Sequence, residues 1–170
     1  MGALENRKNV IGMIKAFLEF NKNKHYQFVL AINLDNKLPK DIQQFILNRE
    51  KEFVFLKFLH NRDLAFIYKH SSLFFFATLY EGFGLPVLEA MASGVPVITS
   101  NVSSLPEVGQ DGVLYVNPYN IEEMSGALLR LTQNEELRLK LINRGKEIAN
   151  KFKWETCAKE TVKILLKIAA

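Results

Sequence analysis

Thr78-Leu-Tyr-Glu81-Gly-Phe-Gly84-Leu-Pro-Val-Leu-Glu89-Ala-Met-Ala-Ser-Gly94-Val-Pro96 is the stretch that decides the fold. It leaves a solid apolar run, Leu73 to Thr78, turns through Gly82 and Gly84, and resumes at about Leu85 with helical patterning. Pro86 in the first turn and Gly94 just past the last follow the Pro-first, Gly-last asymmetry of helices. Val95 to Thr99 then reads as the next strand. A strand, a glycine turn and a helix leading to another apolar strand form one unit of a parallel sheet.

The same alternation extends outward. Val10, Met13, Ile14, Phe17 and Leu18 predict an amphipathic helix over 9–22. Tyr26 to Leu34 is nearly continuous apolar sequence, the pattern of a strand buried on both faces. A helix is expected over about 40–50, a strand over Phe53–Leu56, and a helix capped by Asn61 and carrying Leu64, Ile67 and Tyr68. Beyond the central stretch, Gly112–Val116 reads as a strand. Asn120 and Glu123 form a candidate capping box for a helix bearing Met124, Ala127, Leu128 and Leu131. Two more helices follow, one with Leu137, Leu141, Ile142, Ile148 and Phe152, the other from Trp154 to the end. Trp154 is expected as a packing anchor. The fold class is α/β, a Rossmann-like parallel sheet with helices on both faces.

Composition narrows the function classes. The 170 residues carry 22 Lys+Arg against 18 Asp+Glu, a net charge of +4, spread along the chain rather than clustered. That is a mixed-charge surface and predicts no nucleic-acid partner. The single cysteine, Cys157, excludes an internal disulfide, and three scattered histidines give no zinc pattern. No apolar run approaches the ~18 residues of a membrane span, and the N-terminus lacks a signal-peptide core. A cytoplasmic protein is expected, with any contact at the inner face of a membrane made through a larger parent. No metal site is expected.

Ligands of open α/β sheets bind beyond the carboxyl ends of the strands, where the Glu81–Leu85 loop falls. The first turn of the following helix offers unpaired N–H groups for phosphate or sugar oxygens, and the glycines permit close approach. Glu81 and Glu89 can face the same cleft, where carboxylates accept paired hydrogen bonds from vicinal hydroxyls.

Glu81-Gly-Phe-Gly-Leu-Pro-Val-Leu-Glu89, continuing through Gly94 to Val-Pro-Val-Ile98, resembles the Glu-x7-Glu signature of the family 4 retaining glycosyltransferases, the group 1 family. Asn6-Arg-Lys-Asn9, Phe53-Val-Phe-Leu56, Ser103-Ser-Leu-Pro-Glu107, Asn117-Pro118 and Phe152-Lys-Trp154 fit the family pattern in order, so the likeness covers nearly the whole chain. The resemblance implies the C-terminal half of a glycosyltransferase B fold, with residues 1–170 as the nucleotide-sugar donor-binding domain. It implies that Lys8 holds the donor diphosphate and that Glu89 holds the ribose. Glu81 and the backbone of Gly82, Phe83, Gly84 and Leu85 would meet the transferred sugar. No cofactor is implied beyond the nucleoside diphosphate sugar itself, which is the substrate. The Arg-Lys-Asn turn is similar to that of members using mannose-type donors for cell-surface polysaccharide.

Two departures from the pattern stand out. Ala3 occupies a position where many members have arginine, leaving Arg7 either to contact the diphosphate or to be solvated. Lys57 replaces a common glycine, so Lys57 and Phe58 either border the nucleotide base or merely fill a turn. His25, His60 and His70 read as surface residues, and Glu107 as a loop-fixing residue. The family's first strand is expected to be largely missing, with only Met1 and Gly2 left of it. The N-terminal acceptor-binding domain is missing too, so the chain alone is expected to be inactive. A non-catalytic nucleotide-sugar binding or regulatory module stays open as an alternative, and an epimerase on the same scaffold fits less well.

Overall fold

Every strand pairing among the described residues is parallel, as crossover helices require. The computed structural model describes residues 5–31, 39–57 and 59–169. β1 (Phe28–Ala31) pairs with β2 (Phe53–Leu56), Phe28 opposite Phe53. β3 (Phe74–Phe76), β4 (Val97–Ser100) and β5 (Leu114–Val116) form a second sheet in that order, with Phe75 opposite Ile98 and Ile98 opposite Leu114. The helices are α1 (Val10–Asn21), α2 (Lys40–Ile46), α3 (Asn61–His70), α4 (Leu85–Ser93), α5 (Leu105–Gly109), α6 (Ile121–Gln133), α7 (Glu135–Ala149) and α8 (Trp154–Ala169).

Alternation along the strands sorts the apolar residues into two layers. Phe75, Ile98 and Val116 face a core built with Ile14 and Phe17 of α1 and Met124 and Leu128 of α6. Phe74, Phe76 and Val97 face the other, with Tyr68 of α3, Val87 and Met91 of α4, Leu105 of α5 and Ile148 of α7. The Phe74–Phe76 run is therefore core on both sides of one sheet. Ile14, Val97, Ile98, Leu105 and Ile148 are each fully buried, and a side chain of this size contributes about 1.5–3 kcal/mol on burial.

Several boundaries differ from the sequence reading. β1 is short and its Val29 is 39% exposed while Leu30 is buried, so the strand is not covered on both faces; residues 32–34 of the expected run lie outside those described. α2 ends at Ile46, where Asn48 takes a left-handed conformation (φ 64°), and a 3-10 turn follows at Glu50–Glu52. His60, rather than Asn61, is the N-cap of α3, its N–H donating to Asp63 Oδ2 at 3.3 Å. Asn120 caps α6 by accepting from the Glu123 N–H, but the Glu123 carboxylate takes the Asn117 N–H instead of closing the box. Trp154 is 76% exposed at the start of α8, which is exposed from Trp154 to Ile168, so it is not a packing anchor here.

No described strand joins the two sheets, and a cavity of about 590 Å3 lies between them, lined by Phe28–Ala31 of β1 and Phe74–Phe76 of β3. The expected remnant of a first strand, Met1 and Gly2, lies outside the described residues. No helix among the described residues is long and apolar enough to cross a membrane.

Candidate functional site

Asn6–Lys8 is a 3-10 turn ending at Asn9, which adopts a left-handed conformation (φ 52°). From there the Asn9 amide donates to the carbonyls of Ala77 (2.9 Å) and Pro118 (2.8 Å), pinning the turn to the ends of two other chain segments. The Leu79 N–H donates to the Arg7 carbonyl at 2.7 Å. Gly12 makes this possible, since a Cβ there would collide with the folded-back Asn9 side chain.

The turn carries Lys8 to Glu81, 73 residues away in sequence, and the ammonium meets the carboxylate directly. Their side chains are only 16% and 10% exposed, which makes the pair a shielded one. Arg7 Nη1 lies 3.4 Å from the same Glu81 oxygen, while its Nε donates to Glu5. The Glu5 hydrogen bond, reinforced by both carboxylate charges, raises the Arg7 guanidinium above its ordinary value. Lys8 also sits 5.2 Å above the Phe76 ring.

Beyond Glu81 the backbone passes through Gly84, whose φ of 103° belongs to the left-handed region that glycine supplies. A Cβ on Gly84 would also fall 2.7 Å from Leu105 Cδ2. Among the described residues, no partner meets the N–H groups of Gly82, Phe83, Gly84 or Leu85. Pro86 follows in the first helical turn, and α4 ends with Val95 N–H bonded to Ala90 and Gly94 N–H to Met91, the closure typical of a left-handed glycine cap. Phe83 and Leu85 expose apolar side chains at the loop, 45% and 44% accessible.

Glu89 is exposed one turn into α4, accepting from the Tyr68 hydroxyl at 3.4 Å. Tyr68 is 7% exposed and its ring stands edge-on to Phe74. Burial first, and the Glu89 charge second, push the Tyr68 hydroxyl far above its ordinary value, so it stays a donor. The structure thus gathers Lys8, Arg7, Glu81 and the 82–85 backbone, and places the Glu89 carboxylate one helical turn beyond Leu85, against the Tyr68 hydroxyl. Lys57 is exposed, and Phe58 and Ala3 lie outside the described residues. His25, His60, His70 and Glu107 are exposed as well.

Sequence reasoning gave no role to three serines that support the loop, although Ser103 and Ser104 stand in the quoted Ser103–Glu107 segment. Ser100 donates to the Thr78 carbonyl (2.6 Å), Ser103 accepts from the Glu81 N–H (3.0 Å), and Ser104 donates to the carbonyls of Glu81 and Phe83 (both 2.9 Å). The signal available was their place at the end of β4 and just beyond it, on the same strand-end side as the glycine loop.

The model of the group described as glycosyl transferases group 1 matches residues 1–148. The chain belongs to that family. The O-antigen chain mannosyltransferase B of Escherichia coli is 33% identical over 165 residues, which is 95% of this chain and 43% of that protein. The chain therefore spans less than half of that curated relative. Among solved structures, the sucrose-phosphate synthase of Thermosynechococcus elongatus superposes with a TM-score of 0.86 at 23% identity, covering 99% of this chain and 44% of that one. The C-terminal domain of a group 1 glycosyl transferase from Francisella tularensis gives 0.77 at 24% identity, covering 89% and 82%. An E. coli trehalose-6-phosphate protein bound with UDP-2-fluoro glucose gives 0.75 at 19% identity, covering 95% and 42%. These likenesses place the fold of this glycosyltransferase chain among such domains, with the Francisella match corresponding to a C-terminal one.

Proposed function

We propose that residues 1–170 form the donor-binding domain of a retaining glycosyltransferase, whose parent moves a hexose from a nucleoside diphosphate sugar to a glycan or lipid-linked saccharide. Lys8, with Arg7 beside it, holds the diphosphate and offsets the charge that grows on it as the sugar leaves. Glu89 holds the ribose, and Glu81 with the Gly82–Leu85 backbone meets the transferred sugar. The observation that carries the reading is the direct meeting of Lys8 and Glu81 beside four consecutive N–H groups without partners among the described residues. A cation next to open donors suits a ligand that joins an anionic diphosphate to a hydroxyl-rich ring.

The mannosyltransferase relative favours a mannose donor and a role in polysaccharide synthesis. In this reading the acceptor is bound by a second domain, so the 170 residues alone bind donor without transferring it. Calorimetry with UDP, GDP and ADP, and with their hexose conjugates, tests the assignment. Saturable binding of one base series supports it. If none binds at millimolar concentration, the donor-domain reading fails.

A further inference from the structure

A serine at a helix N-cap ordinarily turns its hydroxyl onto the N–H groups of its own first turn. Ser104 is the N-cap of α5 and makes no such bond. Its hydroxyl instead crosses to the glycine loop, lying 2.9 Å from both the Glu81 and the Phe83 carbonyl. Ser103, immediately before it, is held in the left-handed region (φ 51°), uncommon for a residue with a side chain. That conformation accompanies a hydroxyl set to accept the Glu81 N–H at 3.0 Å. The two serines therefore grip both backbone groups of Glu81, one on the N–H and one on the carbonyl.

Peptide geometry turns this grip into an orientation. In a trans peptide the carbonyl and the following N–H point in opposite directions. With the Glu81 carbonyl drawn to Ser104, the Gly82 N–H must point away from it. With the Phe83 carbonyl drawn to the same hydroxyl, the Gly84 N–H must point away as well. Both are N–H groups without partners among the described residues, and a Cβ placed on Gly82 would meet none of those residues within 4 Å, so that flank of the loop is open to a ligand.

We propose that Ser103 and Ser104 are positioning residues that fix the Glu81–Leu85 backbone with alternate N–H groups turned out toward the transferred sugar. They touch the loop and not the ligand. The proposal rests on the donor-binding reading for its sugar, but its mechanical part concerns the ligand-free loop alone. A held loop meets the sugar hydroxyls already oriented, whereas a released one must be ordered at the moment of binding.

The test has two readouts on the 170-residue chain. In the ligand-free state, Ser103→Ala is expected to speed hydrogen exchange at the Glu81 amide, and Ser104→Ala to disorder the loop, broadening the Gly82 and Gly84 amide resonances. Both variants should keep the wild-type Tm within a few degrees. In binding, Ser104→Ala is expected to weaken GDP-mannose or UDP-glucose, whichever the wild type binds, by about tenfold. The matching bare GDP or UDP should change by less than about twofold. Ser104→Thr, which keeps the hydroxyl, should restore most of the sugar-dependent affinity. Equal loss for the sugar nucleotide and the bare diphosphate, or exchange and resonances identical to wild type, overturns the proposal. Absence of any nucleotide binding by the wild type defeats the donor reading instead, and the ligand-free measurements still decide whether the serines hold the loop.

Discussion

Glu81→Gln separates the two jobs that the proposed function gives to one carboxylate. In the ligand-free chain Glu81 neutralises Lys8, and it does so where both side chains are mostly shielded from water. A diphosphate oxygen arriving on the same ammonium would share it with Glu81. Two acceptors about 2.8 Å from one nitrogen at a tetrahedral angle lie roughly 4.6 Å apart. Two unit negative charges at that separation repel by about 3.6 kcal/mol at an effective dielectric of 20, and by about 0.9 kcal/mol in bulk water. Arg7, whose side chain is 40% exposed, also opens the site to solvent, so the lower half of that range applies.

Glutamine keeps the shape and an acceptor for Lys8 while removing the charge. Bare nucleoside diphosphate should therefore bind Glu81→Gln about fivefold to tenfold more tightly, a change of about 1–1.4 kcal/mol. The gain should shrink as salt is raised, because the added field is screened. The sugar nucleotide should gain less or lose affinity, since the carboxylate no longer accepts from the sugar hydroxyls. Paired titrations of diphosphate and sugar diphosphate at low and high salt measure both effects. If Glu81→Gln weakens the bare diphosphate by more than about threefold, the carboxylate is not competing for Lys8, and the charge argument is wrong.

Other substitutions probe the frame around the site. Gly84→Ala combines an unfavourable φ of 103° with a Cβ 2.7 Å from Leu105, and should cost at least about 1–2 kcal/mol, read as a lower urea midpoint. Thr78 is fully buried and its hydroxyl has no partner among the described residues, so Thr78→Val should be neutral or stabilising by about 1 kcal/mol; a clear loss would reveal a hidden hydrogen bond. Hydrogen bonding to Arg144 holds the Asp111 carboxyl below its ordinary value of 3.8. Its stabilising effect is accordingly present above that pH and lost as the pH falls through the lowered value. The Tm gap between wild type and Asp111→Asn should close on acidification, and a gap that stays constant would contradict the pairing.

Much of the scaffold was legible because it rests on local patterns. The 3.6-residue period of α1, the proline and glycine bracketing α4, and the apolar runs of β3 and β4 each encode their own conformation. Element ends were less legible, since Val29 in β1 and Asn48 just past α2 depend on packing and backbone conformation that no window of sequence contains. Trp154 was misjudged for a related reason, as an aromatic at a helix start implies burial only if another surface is there to cover it. Within the site, the glycine loop was readable from spacing. Tyr68 was visible as an apolar helix position, but its hydrogen bond to Glu89 needed the packing of α3 against α4.

Asn9 shows how the two halves of the site become one. Nothing in Asn6-Arg-Lys-Asn9 indicates which part of the chain it will meet. Yet the Asn9 amide bridges the carbonyls following β3 and β5, and the Leu79 N–H returns a bond to Arg7. Those three contacts set where Lys8 can stand, two residues before the glutamate loop begins on the other segment. The loop is in turn gripped from behind by Ser103 and Ser104, which follow β4. Cation and carboxylate thus meet because backbone groups at neighbouring strand ends are cross-linked by short polar side chains. It follows that loss of the Asn9 amide should release Lys8 without touching it. Diphosphate affinity, rather than sugar discrimination, is the quantity that would suffer.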